Sequence, residues 1–129
     1  ASLFGPCPGV EDTFTVTMNP DPLITPHLIT FTLTGEMVSG RAIDPVSSVV
    51  VTIGVTVPVQ TPDTFLFCNS TDCPIFSGTP YTATGTILLQ APLPQSYQII
   101  LEVGNINTSS PTISFLHDEI LACAMTTVF

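Results

Sequence analysis

The chain has 129 residues, the usual length of one domain, and ten acidic residues against one basic residue give it a net charge of −9. That charge argues against nucleic-acid binding, which needs Lys and Arg to neutralise phosphates, and against lasting adsorption to an anionic membrane. Hydrophobic residues form 44% of the chain and charged residues 9%, which excludes a disordered, charge-rich protein. The chain begins at Ala1 without an initiator Met, so we expect a mature product whose signal peptide has been removed.

Alternation of apolar and polar residues predicts β-strands along most of the chain. In the strand predicted from His27 to Thr34, Ile29, Phe31 and Leu33 face one way and the intervening threonines face the other. Thirteen prolines lie almost entirely in the joints between strands, because proline cannot donate to a sheet ladder. In chain order the predicted strands are Phe14 to Met18, His27 to Thr34, Val49 to Val57, Tyr81 to Leu89, Tyr97 to Val103 and Ile120 to Phe129.

These elements predict the fold class. About seven strands separated by turns indicate an all-β protein, an immunoglobulin-like two-sheet antiparallel β-sandwich. Each strand has one apolar face, as expected where one side of each sheet packs against the other. No repeat or low-complexity tract divides the chain, so we expect a single domain over residues 1–129.

Cysteine and asparagine positions predict the compartment. Four cysteines without a Cys-x-x-Cys pair favour disulfides over zinc, and they allow three connectivities. Cys68 and Cys73 bracket a short polar loop that they could close, and Cys7 and Cys123 would then join the two ends of the chain. Glycosylation sequons begin at Asn69 and Asn107. Together these features favour a secreted or lumenal glycoprotein, a vacuole-like or lysosome-like compartment included.

The sequence contains no motif for catalysis. A Gly-x-Ser-x-Gly elbow, a His-Glu-x-x-His helix, a phosphate-binding glycine loop and a reactive unpaired Cys are all missing, so we predict neither enzymatic activity nor a cofactor. His27 and His117 lie far apart in the chain, and we predict no metal site. Arg41 is expected in a surface ion pair with Asp44 or Glu36, the alternative being a contact with a phosphate or carboxylate.

Several motifs, in their order and spacing, resemble one protein family. They are Cys7 near the start, Asn19-Pro20-Asp21-Pro22 before a long alternating strand, Phe65-Leu66-Phe67-Cys68 followed by Cys73-Pro74-Ile75 and Gly78, Pro92-Leu93-Pro94 before Tyr97, and Cys123 in a last strand ending in Val128-Phe129. This series resembles the MD-2-related lipid-recognition (ML) family from Cys7 to Phe129. Within the family, the chain is most similar to the fungal phosphatidylglycerol/phosphatidylinositol transfer proteins and the Niemann-Pick C2-type sterol carriers.

The resemblance implies a secreted sandwich that splays its two sheets and holds the apolar part of a lipid between them. It also implies two disulfides, Cys7 with Cys123 and Cys68 with Cys73. The chain departs from the family at Pro26 and His27, which stand where the sterol carriers have a cysteine of an additional bridge. It also has no Lys, which argues against recognition of an anionic phospholipid headgroup.

Inward-facing apolar residues are the predicted lipid-binding surface, for a sterol, a fatty acid or the acyl chains of a phospholipid. Tyr81 or Tyr97 is expected to give one hydrogen bond to a hydroxyl or carboxyl. Lipid transfer would involve transient contact with a membrane. The alternatives are a core filled by side chains and an immunoglobulin-like module that binds a protein receptor without lipid. The predicted lining is Phe31, Leu33, Val51, Ile53, Val55, Ile87, Leu89, Tyr97, Ile99, Leu101 and Val103, with Phe65, Phe67, Ile75, Phe76 and Tyr81 closing one end.

Overall fold

The structure is a computed structural model that describes residues 3–20, 23–38, 40, 42–43, 47–55, 58–60, 62–69, 73–106, 115 and 120–128. Within these residues the chain forms eight strands and one short 3-10 turn, Phe67–Asn69. The strands are β1 (Gly5–Pro6), β2 (Phe14–Asn19), β3 (His27–Glu36), β4 (Ser48–Gly54), β5 (Asp63–Leu66), β6 (Pro80–Leu89), β7 (Tyr97–Gly104) and β8 (Ala122–Val128).

The strands form two antiparallel sheets, which confirms the predicted all-β sandwich. One sheet has the strand order β1-β8-β7-β4-β5 and the other has the order β2-β3-β6. Along one long side β1 and β8 pack beside β2, and along the other β5 and the 3-10 turn pack beside β6. We call these sides the β8–β2 seam and the β5–β6 seam. No helix in the described part of the chain is long and apolar enough to cross a membrane.

Burial follows the period-two pattern of the sequence, because successive side chains of a strand point to opposite faces. In β3, Ile29, Phe31 and Leu33 are fully buried between the sheets. Threonines occupy the other face of the three-stranded sheet, where the register aligns Thr15, Thr34 and Thr82 across all three strands. The sandwich therefore has an apolar interior and a polar outer face on this sheet.

Three strand predictions need correction. The strand predicted for Val49 to Val57 ends at Gly54, because the chain turns there: Gly54 bridges to Pro58, and the Val59 N–H donates to the Ile53 carbonyl at 2.8 Å. The prediction that Val55 faces the interior is therefore wrong, since Val55 lies in the turn and is 60% exposed. Asp63–Leu66, where no strand was predicted, is an edge strand paired with β4, and the two-residue β1 was not predicted either.

Two disulfides join the four cysteines. Cys7 bonds to Cys123 and Cys68 bonds to Cys73, which confirms the implied pairing. The first bond ties the segment that runs from β1 in one sheet to β2 in the other onto β8. The second closes the loop that follows the 3-10 turn.

Candidate functional site

The space between the sheets is lined by nearly all of the predicted residues. For the residues on strands, burial follows from register, since β3, β4, β6 and β7 each direct one apolar series of side chains inward. Thirteen of the sixteen predicted positions are no more than 6% exposed: Phe31, Leu33, Val51, Ile53, Phe67, Ile75, Tyr81, Ile87, Leu89, Tyr97, Ile99, Leu101 and Val103. The structure thus brings these residues together in one apolar interior.

The other three predicted positions differ. Phe65 is half-buried on β5, at the edge of the five-stranded sheet. Phe76 is 63% exposed in the loop before β6, and Val55 lies in the turn already described. Only Phe65 of these three lies against the interior.

Phe65 closes the β5–β6 seam. Its register partner Val49 is fully buried, so Phe65 is on the inward side of β5. Its ring lies directly over Gly85 of the other sheet, where a Cβ would overlap the ring atoms. Glycine within a strand commonly marks such a close approach. The Phe65 ring therefore reaches from β5 to the backbone of β6.

Gln60 holds the same seam with four hydrogen bonds. Its Nε2 donates to Asp63 Oδ2 at 2.6 Å and to the Leu88 carbonyl at 3.2 Å. Its Oε1 accepts from the N–H groups of Gln90 at 3.1 Å and Ala91 at 3.2 Å. The turn before β5 is thereby pinned to the end of β6. A surface cleft of about 550 Å³ lies at this point, lined by the same five residues.

Loop residues close the end of the sandwich at which Tyr81 lies. Ile43 and Ile75 pair through two backbone hydrogen bonds of 2.9 Å, and both side chains are buried. Phe67 packs edge-on against Tyr81, with ring centroids 5.1 Å apart. We call this the Tyr81 end. Tyr97 lies at the opposite end. Gly54 is the end of β4 that is far from Tyr81, and it pairs with Gln98, the residue after Tyr97.

Tyr81 carries a buried polar group within this apolar surround. Its side chain is 4% exposed, and among the described residues its hydroxyl is the one buried side-chain polar atom without a hydrogen-bond partner. Burial, with a smaller contribution from the negative charge of Asp12, raises the pKa of Tyr81 to about 12. The hydroxyl is therefore neutral at physiological pH and available as both donor and acceptor.

Comparison with known proteins identifies the fold family. The family model of the ML domain matches residues 2–112. The chain belongs to the ML family. Direct comparison with curated proteins gives no match. Among solved structures, chicken MD-1 complexed with lipid IVa is similar with a TM-score of 0.55 and 15% sequence identity, over 96% of this chain and 86% of that chain.

Two features of this ML domain were missed by the sequence analysis, and only the first of them had a signal in the sequence. Asp12 is 1% exposed and continues the inward series of β2 by one step, two residues before Phe14. The period-two pattern extended backwards would have found it. Gln60 had no such signal, because its partners at Asp63, Leu88 and Gln90 are brought to it only by the fold.

Several predicted residues lie outside the described residues. They are Arg41, Asn107, His117 and the side chain of Asn69, so the predicted ion pair and both glycosylation sites stay predictions. The remaining histidine, His27, is exposed at the start of β3. Among the residues that the structure describes, no three His, Cys, Asp or Glu side chains are grouped as metal ligands.

Proposed function

We propose that this ML domain binds a lipid and holds its apolar part between the two sheets. The observation that carries the proposal is the predominantly apolar lining that both sheets of an ML fold supply to the interior. Chicken MD-1, which shares the fold, was solved with lipid IVa. Transfer of apolar ligand surface out of water supplies about 25 cal/mol per Å² of area removed, so aliphatic walls bind through area rather than charge.

The proposed ligand is a sterol, a fatty acid or the acyl chains of a phospholipid. With one Lys or Arg in the whole chain, the protein offers little to attract an anionic headgroup. We further propose a binding and transfer protein rather than an enzyme, secreted or lumenal, formed by one domain over residues 1–129. The two disulfides support an oxidising compartment.

Lipid transfer also requires contact with a donor membrane. Val38 and Phe76 are large exposed apolar side chains in the loops of the Tyr81 end. These loops are joined where the Gly78 N–H and the Ser77 hydroxyl both donate to the Met37 carbonyl, at 2.8 and 3.0 Å. We propose that this end touches a neutral membrane transiently, because the net charge of −9 opposes an anionic one.

Native mass spectrometry of the purified protein, followed by lipid extraction under denaturing conditions, tests the binding proposal. We expect a stoichiometric hydrophobic adduct that disappears on denaturation and that the extract identifies. A polypeptide that stays bare after incubation with sterol, fatty acid and phospholipid would contradict the proposal. It would instead favour the module that binds a protein receptor without lipid.

A cavity-filling variant separates a lipid-binding interior from a filled core. Ala83 is fully buried on the inward face of β6, whereas its neighbour Thr82 is exposed on the outer face. We expect Ala83→Phe to lose the bound lipid while keeping a cooperative thermal transition, and Thr82→Phe to keep both. If the core is already filled, Ala83→Phe instead lowers the free energy of unfolding by about 1 to 3 kcal/mol and leaves lipid content unchanged.

A further inference from the structure

The Tyr81 hydroxyl lacks a partner in a place where a partner is expected. Buried polar groups in folded proteins are nearly always hydrogen-bonded, because the loss of water must be compensated. Tyr81 is on the inward face of β6, level with Phe14 and Gly35 in the register of the three-stranded sheet. Its ring is fixed by Phe67, so the hydroxyl cannot turn outward to solvent without breaking the ring contact. The missing partner must come to the hydroxyl inside the sandwich.

Asp12 determines which chemistry that partner can have. Asp12 lies two residues before Phe14, which is in the same register row as Tyr81. It is 1% exposed and accepts a hydrogen bond from the Val38 N–H at 2.7 Å. Burial raises the pKa of Tyr81, and the negative charge of Asp12 adds a smaller contribution. A second negative charge beside it would be repelled strongly, because the interior screens charges poorly.

We propose that the Tyr81 hydroxyl binds the polar group of the lipid, an inference that rests on the proposed function. This polar group is an uncharged hydroxyl, as in a fatty alcohol or a sterol, rather than a carboxylate or a phosphate. The hydroxyl of such a ligand accepts a hydrogen bond from Tyr81 and brings no charge towards Asp12. The apolar remainder of the ligand then extends along the inward side chains, between Phe31 and Leu101.

Three ligands with the same cis-unsaturated eighteen-carbon chain test the proposal: oleyl alcohol, oleate and cis-9-octadecene, each measured by displacement of N-phenyl-1-naphthylamine from the delipidated full chain. We expect oleyl alcohol to bind about tenfold more tightly than cis-9-octadecene and than oleate at neutral pH. Tyr81→Phe should lower the affinity for the alcohol to that for the alkene and leave the alkene unchanged. Asp12→Asn should raise the affinity for oleate, whereas Glu11→Gln, which removes the same charge from an exposed neighbour, should not.

The outcomes separate this inference from the proposed function. If none of the three ligands displaces the probe, lipid binding itself fails. If all three bind equally to the wild type and to Tyr81→Phe, lipid binding stands and the inference fails, the hydroxyl then being satisfied by a buried water. Tighter binding of oleate than of the alcohol also overturns it. Thermal unfolding of Tyr81→Phe confirms that the ring packing is kept.

Discussion

The two long seams of the sandwich are closed by different kinds of interaction. At the β8–β2 seam, the Cys7–Cys123 disulfide fixes the crossing segment to β8, and the Cys123 N–H donates to the Asp12 carbonyl at 3.1 Å. At the β5–β6 seam, Phe65 over Gly85 and the hydrogen bonds of Gln60 hold the sheets together without a covalent link. If the sheets part to admit a ligand, this difference predicts that they separate at the β5–β6 seam and hinge at the β8–β2 seam.

Removal of the Cys7–Cys123 bond should have the largest effect. The bond spans 116 positions, and in the chain-entropy model the closure of so long a loop stabilises by about 5 kcal/mol. We expect the double variant Cys7→Ser, Cys123→Ser to lose most of that free energy in urea unfolding. Cys68→Ser, Cys73→Ser is the control, because its bond spans 5 positions and is worth about 2 kcal/mol. Equal losses of unfolding free energy in the two variants would contradict the view that the β8–β2 seam is the one held closed.

Gly85→Ala tests the second seam directly. The added Cβ overlaps the Phe65 ring, so the ring must move or the sheets must separate. We expect a loss of about 1 to 3 kcal/mol in the free energy of unfolding, the usual cost of overpacking. Gly5→Ala, on β1 at the other seam, meets no neighbouring atom and should cost far less. If Phe65→Leu fails to relieve the loss caused by Gly85→Ala, another contact is responsible.

Gln60→Ala should loosen the same seam by a smaller amount. The variant removes four hydrogen bonds, but water replaces several of them at this half-buried position, so we expect a loss of about 1 to 2 kcal/mol. Amide hydrogen exchange should become faster in β5 and at the end of β6, with little change in β8. Gln95→Ala, at an exposed loop position, is the control. Faster exchange in all strands alike would mean that the seam does not open separately.

The contrast between the seams also shows what sequence can predict. Strands β3, β6 and β7 were predicted nearly to their ends, because burial of one face imposes strict alternation, as at Ile29, Phe31 and Leu33. The alternation of β4 continues to Val55 although the strand ends at Gly54, because the turn at Gly54 does not interrupt the alternation of residue types in the sequence. Phe65 and Gln60 form the β5–β6 seam through contacts with Gly85 and Leu88, distant residues that only the fold brings near. The apolar lining was therefore predictable, whereas the closure of the β5–β6 seam was not.

The smallest expected effect concerns Glu102, whose register partners on the five-stranded sheet are Val50 and the bonded Cys123. Burial raises the pKa of Glu102, so the folded state holds this proton more tightly than the unfolded chain. Stability therefore falls as the pH rises from the ordinary carboxyl pKa through the raised one. We expect Glu102→Gln to be more stable than the wild type at neutral pH, by about 0.5 kcal/mol or less, and to lose that advantage in acid.

Urea unfolding of both proteins between acid and neutral pH measures this difference, with Glu36→Gln at an exposed strand end as the control. A Glu102→Gln variant that is less stable at neutral pH would mean that the carboxylate makes a favourable contact which outweighs its burial. Because Glu102 adjoins Cys123, repeating the comparison in the variant without the Cys7–Cys123 bond sharpens it. If the bond holds β8 in place beside Glu102, its loss admits water, and the difference between Glu and Gln should shrink.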